Sequence, residues 1–558
     1  MAVTEDKSLN RRSANYAPPL WSFDHVQSLS SKYTGEDYEA RVDSLKKSVK
    51  TMIQEVVGNP LKTLELVDNL QRLGISYHFE EEISQVLEMI YNDYYKTQEQ
   101  WNGMDMNLKA LGFRLLRQHG HHVPQEMFLN FKVKAENDKP QSDEDNNHVV
   151  GMLNLYEASY HSFEDESILD DARDFTTKYL KESVDRIDGS SSLGSLINHA
   201  LELPLHWRIA RLEAKWFIEA YREIVSPTLM ELAILDFNMV QAINLQDLKE
   251  SSRWWRNTCW DKKLSFSRDR LVEGYMWTIG VWSLPNFSLG RRTLTKVNAI
   301  ITAIDDIYDI YGTLDELQQF TDVITRWDIN AVEELPDYMK ICFLGSFNVI
   351  NEMAYNTLAN SNSGVFILPY LKKAWVDLCN AYLLEAQWYQ SGYIPTLEEY
   401  LHNASVSISV PVGLMHCNFL TSNYTSTQEI QQCIQRSANI VHYSALILRL
   451  ADDLGTSSDE MARGDNPKSI QCYMHETGAT EDEARNYMKS LINKTWKKLT
   501  KERAGAAATC EFLMEFECAT NLARMAPFMY SQGDGYGRPQ LAKSNILSLL
   551  FNPIQDLH

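Results

Sequence analysis

The sequence predicts an all-α fold divided into two helical domains. Apolar residues recur at spacings of three and four over most of the chain, as in residues 78–97, 208–223 and 372–388. No alternation of polar and apolar residues is long enough to require a sheet. At 558 residues the chain exceeds the length at which one hydrophobic core keeps growing, so we expect two domains.

Polar stretches mark the loops between the predicted helices, at residues 136–148, 186–194 and 359–364. A long helical pattern follows Ser226 and Pro227, and we place the junction between the domains near residues 226–240. The predicted domains are therefore 1–235 and 236–558. Almost all of the side chains with evident chemistry fall in the second domain.

The composition excludes several classes of protein. With 75 acidic and 53 basic side chains the formal charge is -22, which repels polyanions and argues against binding to nucleic acid. No uninterrupted apolar stretch reaches the roughly 18 residues that cross a bilayer, so we expect no membrane insertion. All eight cysteines lie between Cys259 and Cys518 and none forms a C-x-x-C pair, which favours reduced thiols over a zinc ribbon or a disulfide scaffold.

The first acidic cluster lies in residues 297–312, a segment that is otherwise almost entirely apolar. Asp305 and Asp309 are four residues apart and share one face of the predicted helix, whereas Asp306 is rotated from them by about 100°. Two carboxylates one turn apart on an apolar helix repel each other unless a cation lies between them. The spacing therefore points to a bound magnesium ion.

The second acidic cluster lies in residues 450–461, where Asp452, Thr456 and Glu460 recur at a spacing of four. Such a row presents three oxygen ligands over roughly 12 Å of helix. It suits a hard cation that keeps several waters and takes its remaining ligands from phosphate. Taken alone, either acidic row is equally well explained as a solvated helix face.

Basic residues accompany both acidic rows. Arg449 precedes Asp452 by three residues, and Lys468 follows in a loop that contains glycine and proline. Arg268 and Arg270 form a pair ahead of an aromatic run. Guanidinium groups make bidentate contacts with phosphate oxygens, so these cations are candidates for holding a diphosphate.

Four motifs together resemble the plant terpene synthases over nearly the whole chain. They appear in the family's order and are RRSANYAPPLW (11–21), RDR (268–270), DDIYD (305–309) and DDLGTSSDE (452–460). The third has the family's DDxxD form and the fourth its (N/D)Dxx(S/T)xxxE form. The first resembles the N-terminal arm of angiosperm monoterpene synthases. The resemblance implies a C-terminal class I terpenoid synthase fold and a vestigial class II-like N-terminal domain, which we interpret as a scaffold because residues 1–235 contain no D-x-D-D motif.

The resemblance also assigns the site. It implies three Mg²⁺ ions, with Mn²⁺ as an alternative cation. Two of the ions would be held by Asp305 and Asp309, and the third by Asp452, Thr456 and Glu460. Arg268, Arg449 and Lys468 would contact the diphosphate, with Arg270 beside them, while Asp306 and Asp453 would support the ligands. The arm, about residues 1–25 with Arg11, Arg12 and Trp21, would fold across the mouth of the site and exclude water.

The expected reaction produces a carbocation, and the side chains that line the cavity must direct it without reacting with it. Aromatic faces stabilise cations without donating a lone pair, so we expect Trp277 at the cavity floor. Tyr530 and Tyr536 flank a glycine-rich loop that we expect to close over the mouth. Asn298 lies two helical turns from Asp305, where its amide would hold a water molecule.

We predict a magnesium-dependent lyase that ionises geranyl diphosphate. Linalyl and terpinyl cations would lead to a cyclic monoterpene, with water capture giving 1,8-cineole or terpineol. The alternatives are linalool synthase, bornyl diphosphate synthase, sesquiterpene synthase, a chain-elongating prenyltransferase and a non-enzymatic helical scaffold. A prenyltransferase would be expected to carry a second DDxxD motif, and this sequence has Asp, Thr and Glu in its place.

The sequence gives two further expectations. The protein is expected to be a monomer or a weak homodimer. Only about ten residues precede Arg11, too few for a transit peptide, so we expect the plastid stroma for a processed or trimmed chain and the cytosol for a native N-terminus.

Overall fold

The computed structural model describes residues 11–12, 16–132, 146–184, 186–187, 189, 191–360, 364–422, 424–509 and 513–556, and within these residues it contains helices and no strand. The predicted all-α fold is confirmed. The first eleven helices are α1 Phe23–Ser28, α2 Glu36–Val56, α3 Pro60–Arg72, α4 Glu80–Ile90, α5 Gln98–Asn102, α6 Met106–Gln118, α7 Asn146–Ser159, α8 Ser167–Val184, α9 Ser192–Glu202, α10 Ala210–Ala220 and α11 Pro227–Thr258.

The remaining helices build the second half of the chain. They are α12 Trp260–Lys263, α13 Leu271–Val281, α14 Ser288–Asp306, α15 Leu314–Arg326, α16 Asp337–Asn360, α17 Leu368–Ser391, α18 Leu397–Ser407, α19 Val410–Thr421, α20 Thr427–Arg463, α21 Ser469–Thr477, α22 Glu481–Thr509, α23 Leu513–Tyr530 and α24 Pro539–Ile546. A π-helical turn, Ile307–Tyr311, extends α14 through the first acidic motif.

Helix α11 crosses the predicted domain boundary without a break. Ser226 caps its first turn, with Oγ accepting from the Leu229 amide at 3.5 Å, and Pro227 occupies the first helical position. The helix ends at Cys259, whose φ is 55°. The boundary predicted between residues 235 and 236 therefore falls inside a helix of 32 residues.

Two large hydrophobic cores lie on either side of this helix. The first combines the N-terminal helices with α13 and with the C-terminal end of the chain. The Asn238 side chain donates to the Ile554 carbonyl at 2.9 Å and accepts from its amide at 2.8 Å, which fastens that end to α11. The second core runs from Trp260 to Ala526 and surrounds the acidic helices.

The segment Leu397–Thr421 is long and apolar enough, by length and composition, to cross a membrane. A helical break at Ser409, with a φ of 66°, divides it into α18 and α19, and 56% of its most apolar window is buried inside the protein. Such burial is typical of a core segment in a globular protein, so the segment is weak evidence for a membrane span.

Candidate active site

One cavity of about 200 Å³ lies among α13, α14, α19, α20 and α23, and both acidic rows line it. Its mouth is polar and its interior is apolar, so a charged head group and a hydrocarbon tail each meet a matching surface. The polar lining includes Arg268, Asp305, Asp309, Glu385, Arg449, Asp452, Thr456, Glu460, Arg463, Asp465, Lys468 and Asp534. The apolar lining includes Trp277, Val281, Leu294, Ile301, Val410, Leu414, Leu448 and Leu522.

The first row contains two kinds of aspartate. Asp305 faces the cavity and forms an ion pair with Arg268. Asp306 is fully buried and accepts from Ser267 Oγ at 3.0 Å and from the Arg268 amide at 2.7 Å, so it holds the segment before α13 in place. Burial raises the pKa of Asp306, and the Arg268 guanidinium partly offsets this shift. Burial raises the pKa of Asp309 far above its usual range, and repulsion from Asp305 adds to the shift.

The second acidic row lies along one face of helix α20. Arg449 Nη1 donates to Asp452 Oδ2 at 2.9 Å. Burial raises the pKa of Asp452 to about 8, with repulsion from Glu460 adding and the Arg449 charge opposing. Thr456 Oγ1 and Glu460 Oε2 are buried and have no hydrogen-bond partner among the described residues. Buried oxygens without partners are unfavourable, so this row is built to receive a group that the protein itself does not supply.

The oxygen donors fit magnesium. Within the described ranges, no cluster of three or more His, Cys, Asp or Glu side chains converges tightly enough to hold a metal ion alone. Mg²⁺ is usually bound by one or two carboxylates, with waters and substrate phosphates completing its coordination. Two separate rows on one cavity, with unpartnered oxygens at Thr456 and Glu460, match that requirement.

Asp453 differs from its neighbour Asp452. The Tyr400 hydroxyl lies 3.0 Å from both of its carboxylate oxygens, and the Ser469 amide donates to it at 3.1 Å. Asp453 is completely buried and does not line the cavity. Its position agrees with the supporting role that the sequence predicts.

The basic side chains lie around the polar mouth. Burial alone would lower the pKa of Lys468, but the Glu460 and Asp309 carboxylates outweigh burial and raise it. The Arg268 guanidinium lies 4.9 Å from the centre of the Tyr16 ring, which also lines the cavity. These groups give an anion several fixed positive charges beside the oxygen rows.

Arg270 is placed differently from the prediction. Its guanidinium donates to backbone carbonyls, with Nε 3.0 Å from Tyr536 O and Nη2 2.7 Å from Ala17 O and 3.1 Å from Gly537 O. It does not line the cavity. Because these acceptors already occupy its donors, the structure does not support direct contact with a diphosphate. Arg268 and Arg270 lie two residues apart in an irregular segment. Arg268 faces the cavity and Arg270 faces backbone carbonyls, and their spacing in the sequence does not reveal this difference.

The predicted pocket residues line the apolar part of the cavity. Trp277 and Tyr530 have ring centres 6.3 Å apart, and the Tyr536 hydroxyl lies 2.7 Å from Thr302 Oγ1. Asn298 Nδ2 donates to the Gly274 carbonyl at 3.0 Å, which fixes the amide. Gly455 allows α20 and α23 to pack closely, because a Cβ at this position would lie 2.7 Å from the Tyr530 carbonyl. The structure thus brings Trp277, Asn298, Tyr530 and Tyr536 to one cavity.

The N-terminal arm reaches the mouth of this cavity. Arg11 forms a bidentate ion pair with Glu316 at 2.8 Å, and its guanidinium lies 4.5 Å from the centre of the Tyr311 ring. Arg12 Nη2 donates to Asp465 Oδ1 at 2.7 Å and Nη1 to the Asp309 carbonyl at 3.2 Å. Arg12 thereby joins the ends of the two acidic helices.

Sequence reasoning missed three residues at the mouth, Tyr16, Arg463 and Asp465. Arg463 could have been found, because it lies three residues after Glu460 on the same helix face. Asp465 accepts from both Arg12 and Arg463, and only the tertiary structure shows this pairing. No periodic signal in the arm indicates that the Tyr16 ring turns toward the cavity.

Two family models match the chain. The model described as "Terpene synthase, N-terminal domain" matches residues 20–201, and the one described as "Terpene synthase family, metal binding domain" matches residues 256–498. The chain is also similar to an R-linalool synthase of Artemisia annua, QH1, which is named chloroplastic. It is 66% identical over 550 residues, which cover 98% of this chain and 95% of the relative.

Two solved structures share the fold over their full length. A crystal structure of limonene synthase with 2-fluorolinalyl diphosphate has a TM-score of 0.90 at 42% identity, and the match covers 98% of this chain and 100% of that chain. The isoprene synthase of grey poplar (Populus x canescens), in complex with three Mg²⁺ ions and dimethylallyl-S-thiolodiphosphate, has a TM-score of 0.84 at 40% identity. That match covers 96% of this chain and 100% of the other.

Proposed function

Because the chain belongs to the terpene synthase family, we propose that it is a magnesium-dependent monoterpene synthase whose substrate is geranyl diphosphate. One observation carries the proposal: two rows of oxygen ligands and a set of fixed cations meet at the mouth of a cavity whose interior is apolar. This arrangement suits a molecule with a diphosphate head and a short hydrocarbon tail.

The protein's own residues would act first on the head group. Mg²⁺ ions held by Asp305 and Asp309 on one side, and by Asp452, Thr456 and Glu460 on the other, would supply Lewis-acid stabilisation of the leaving diphosphate. Arg268, Arg449 and Lys468 would add fixed positive charge where negative charge develops as the carbon–oxygen bond breaks. Preorganised charge of this kind lowers the barrier without a nucleophile.

The tail would then react inside the apolar part of the cavity. The rings of Trp277 and Tyr530 would stabilise the allylic cation through their faces. The arm contacts at Arg11 and Arg12 keep bulk water from the mouth, which prevents immediate capture of the cation. The arm is also the feature that favours a C10 substrate over a C15 substrate.

For the product, we propose a monoterpene alcohol formed by capture of the cation by water. Similarity to an R-linalool synthase supports linalool, the acyclic alcohol. Asn298 supports cyclic alcohols as a second candidate, because Nδ2 is held by the Gly274 carbonyl and leaves Oδ1 as an acceptor for water. The chloroplastic name of this relative supports a plastid location for the present protein.

Incubation of the purified protein with Mg²⁺ and a single prenyl diphosphate tests the function. Geranyl, farnesyl and dimethylallyl diphosphates would be supplied separately and the volatiles analysed by gas chromatography and mass spectrometry. We expect turnover mainly of geranyl diphosphate, with an alcohol as the main product, and none in excess chelator. A sesquiterpene or isoprene as the main product would refute the proposed substrate.

The role of Asn298 has its own test. Asn298→Ile removes the acceptor, and we expect the proportion of cyclic alcohol to fall relative to olefin. Thr302→Val, one turn further along α14, alters polarity without removing an amide, but it also removes the contact with Tyr536, so only a change specific to Asn298→Ile is assigned to the amide. An unchanged product profile in Asn298→Ile would exclude water binding by this residue.

A further inference from the structure

We infer that Arg270 is a positioning residue that couples the N-terminal arm to the loop at residues 531–537, so that docking of the arm and closure of the loop favour each other. The inference concerns how the cavity closes and goes beyond the proposed reaction. It rests on contacts that the guanidinium makes with backbone atoms alone.

The Arg270 guanidinium joins the arm to the loop directly. Nη2 donates both to Ala17 O in the arm, at 2.7 Å, and to Gly537 O in the loop, at 3.1 Å. Nε donates to Tyr536 O at 3.0 Å, and Nη1 to the adjacent Asp269 O at 2.9 Å. One side chain therefore bonds to two segments that are more than 500 residues apart in sequence.

The burial of Arg270 depends on both segments. Its side chain is 3% exposed, and the hydrogen bonds of its guanidinium go to backbone carbonyls. A buried cation is unfavourable unless its donors are satisfied. When only the arm or only the loop packs on the guanidinium, some of its N–H groups are shielded from water but have no carbonyl to donate to. Packing of the other segment supplies the missing carbonyl acceptors.

Coupling between the two segments follows from this dependence, and it must be reciprocal. If the arm favours the closed loop by some factor, the closed loop favours the docked arm by the same factor. The loop conformation is compact enough to present its carbonyls: Asp534 Oδ1 accepts from the Gly537 amide at 2.6 Å, and a Cβ at Gly537 would collide with the Asp534 carboxylate. Each segment also has an anchor of its own, since Tyr536 pairs with Thr302 and Arg11 pairs with Glu316.

Hydrogen exchange measured by mass spectrometry on the protein without substrate tests the coupling. In the wild type, removal of residues 1–19 is expected to raise amide exchange in the loop by about tenfold. Arg270→Gln is expected to raise exchange in the loop and in the arm together, and truncation of Arg270→Gln should then add little. Arg270→Lys, which keeps the charge but loses the planar set of donors, should lie between the two.

Thr302→Val is the matched control because it removes the loop's separate anchor and leaves Arg270 intact. We expect it to raise exchange in the loop more than in the arm, and truncation should still raise loop exchange further. The coupling is refuted if truncation leaves exchange in the loop unchanged, or if Arg270→Gln loosens only one segment. If Arg270→Gln raises exchange throughout α11, showing general unfolding, truncation of the wild-type chain decides the question alone.

These measurements need no turnover. Failure of the protein to convert geranyl diphosphate would leave the coupling standing, and loss of the coupling would leave the proposed reaction standing.

Discussion

The carboxylates of the N-terminal helices and those of the catalytic cavity occupy opposite electrostatic settings. Asp68 accepts from Arg114 Nη2 at 2.6 Å and from Arg72 Nε at 3.1 Å. Burial would raise the pKa of Asp68, but the two guanidinium groups outweigh burial and lower it. In the cavity the balance is reversed, and burial together with mutual repulsion raises the pKa of Asp309 and Asp452.

This difference in pKa shift distinguishes acids that stabilise the fold from acids that bind a ligand. The acids at Asp68, Glu213 and Asp236 each face basic side chains that belong to the protein. The cavity rows also contact basic side chains, with Asp452 beside Arg449 and Glu460 3.8 Å from Lys468, but they leave Thr456 Oγ1 and Glu460 Oε2 without a hydrogen-bond partner among the described residues. A protein that keeps such oxygens buried must gain their missing partners from outside, and divalent cations provide them.

Replacing a cavity acid is expected to have the largest effect of all. Asp309→Asn should lower kcat/KM for geranyl diphosphate by about 10³-fold, since it removes a charge that serves transition-state stabilisation of roughly 4 kcal/mol. The metal-free protein should not lose stability, because the substitution removes the repulsion between Asp309 and Asp305. Steady-state kinetics and thermal unfolding in chelator measure both effects. A variant that keeps its activity, or that unfolds several degrees earlier, would contradict the division between the two regions.

Replacing an acid of the N-terminal helices should have the opposite effect, a loss of stability with little change in activity. Asp68→Asn leaves the buried Arg114 without its carboxylate, and Arg114 Nε and Nη1 already have no partner among the described residues. We expect a loss of about 3–5 kcal/mol in the free energy of unfolding. The activity of the folded fraction should stay within about twofold of the wild type, because a scaffold change leaves the reacting groups in place.

Urea unfolding of the N-terminal region, followed together with activity, checks this second prediction. Asp43→Asn is the matched control, since Asp43 is an exposed carboxylate that pairs with Lys46 at 3.0 Å on the surface. Surface pairs of this kind contribute little, so the control should shift the midpoint only slightly. A large loss of activity in folded Asp68→Asn would show that the N-terminal helices do more than support the cavity.

The sequence predicted one side of this comparison better than the other. The cavity acids were predictable because a spacing of four on an apolar helix is visible in the chain itself, as at Asp452, Thr456 and Glu460. The surroundings of Asp68 were only half predictable: Arg72 lies four residues further along the same helix, but Arg114 lies 46 residues away and only folding brings it to Asp68. The same limit explains the misplacement of Arg270: its residue type fits a diphosphate contact, but its acceptors come from two distant segments.

Magnesium binding should release protons from the cavity. With the pKa of Asp452 raised to about 8, this carboxyl is largely protonated at pH 7 in the metal-free protein. Cation binding requires the ionised form, so we expect release of about one proton per protein at pH 7. The apparent Kd for Mg²⁺ should fall by about tenfold per pH unit for each proton displaced as pH rises toward 8, and then level off.

Calorimetric titration of the protein with Mg²⁺ in buffers of different ionisation enthalpy measures this release. Asp452→Asn should release fewer protons than the wild type at pH 7. Asp68→Asn should release as many as the wild type, because the lowered pKa of Asp68 already keeps that carboxylate ionised. Binding that is independent of pH between 6 and 8 would show that the cavity acids are ionised before the cation arrives.

Asp453 provides the smallest and sharpest test, because it lies beside Asp452 yet has the surroundings of a structural acid. Its carboxylate is held by Tyr400 and by the Ser469 amide, and it leaves no face toward the cavity. Asp453→Asn keeps one acceptor oxygen, so we expect a stability loss of about 1 kcal/mol and a decrease in kcat of roughly fivefold. Asp452→Asn, the adjacent control, should instead lower kcat by about 10³-fold with no loss of metal-free stability. Urea unfolding and kinetics on the pair distinguish the two roles. Equal losses of activity from the two substitutions would mean that the position along α20, and not the presence of a protein partner, decides which acids serve the reaction.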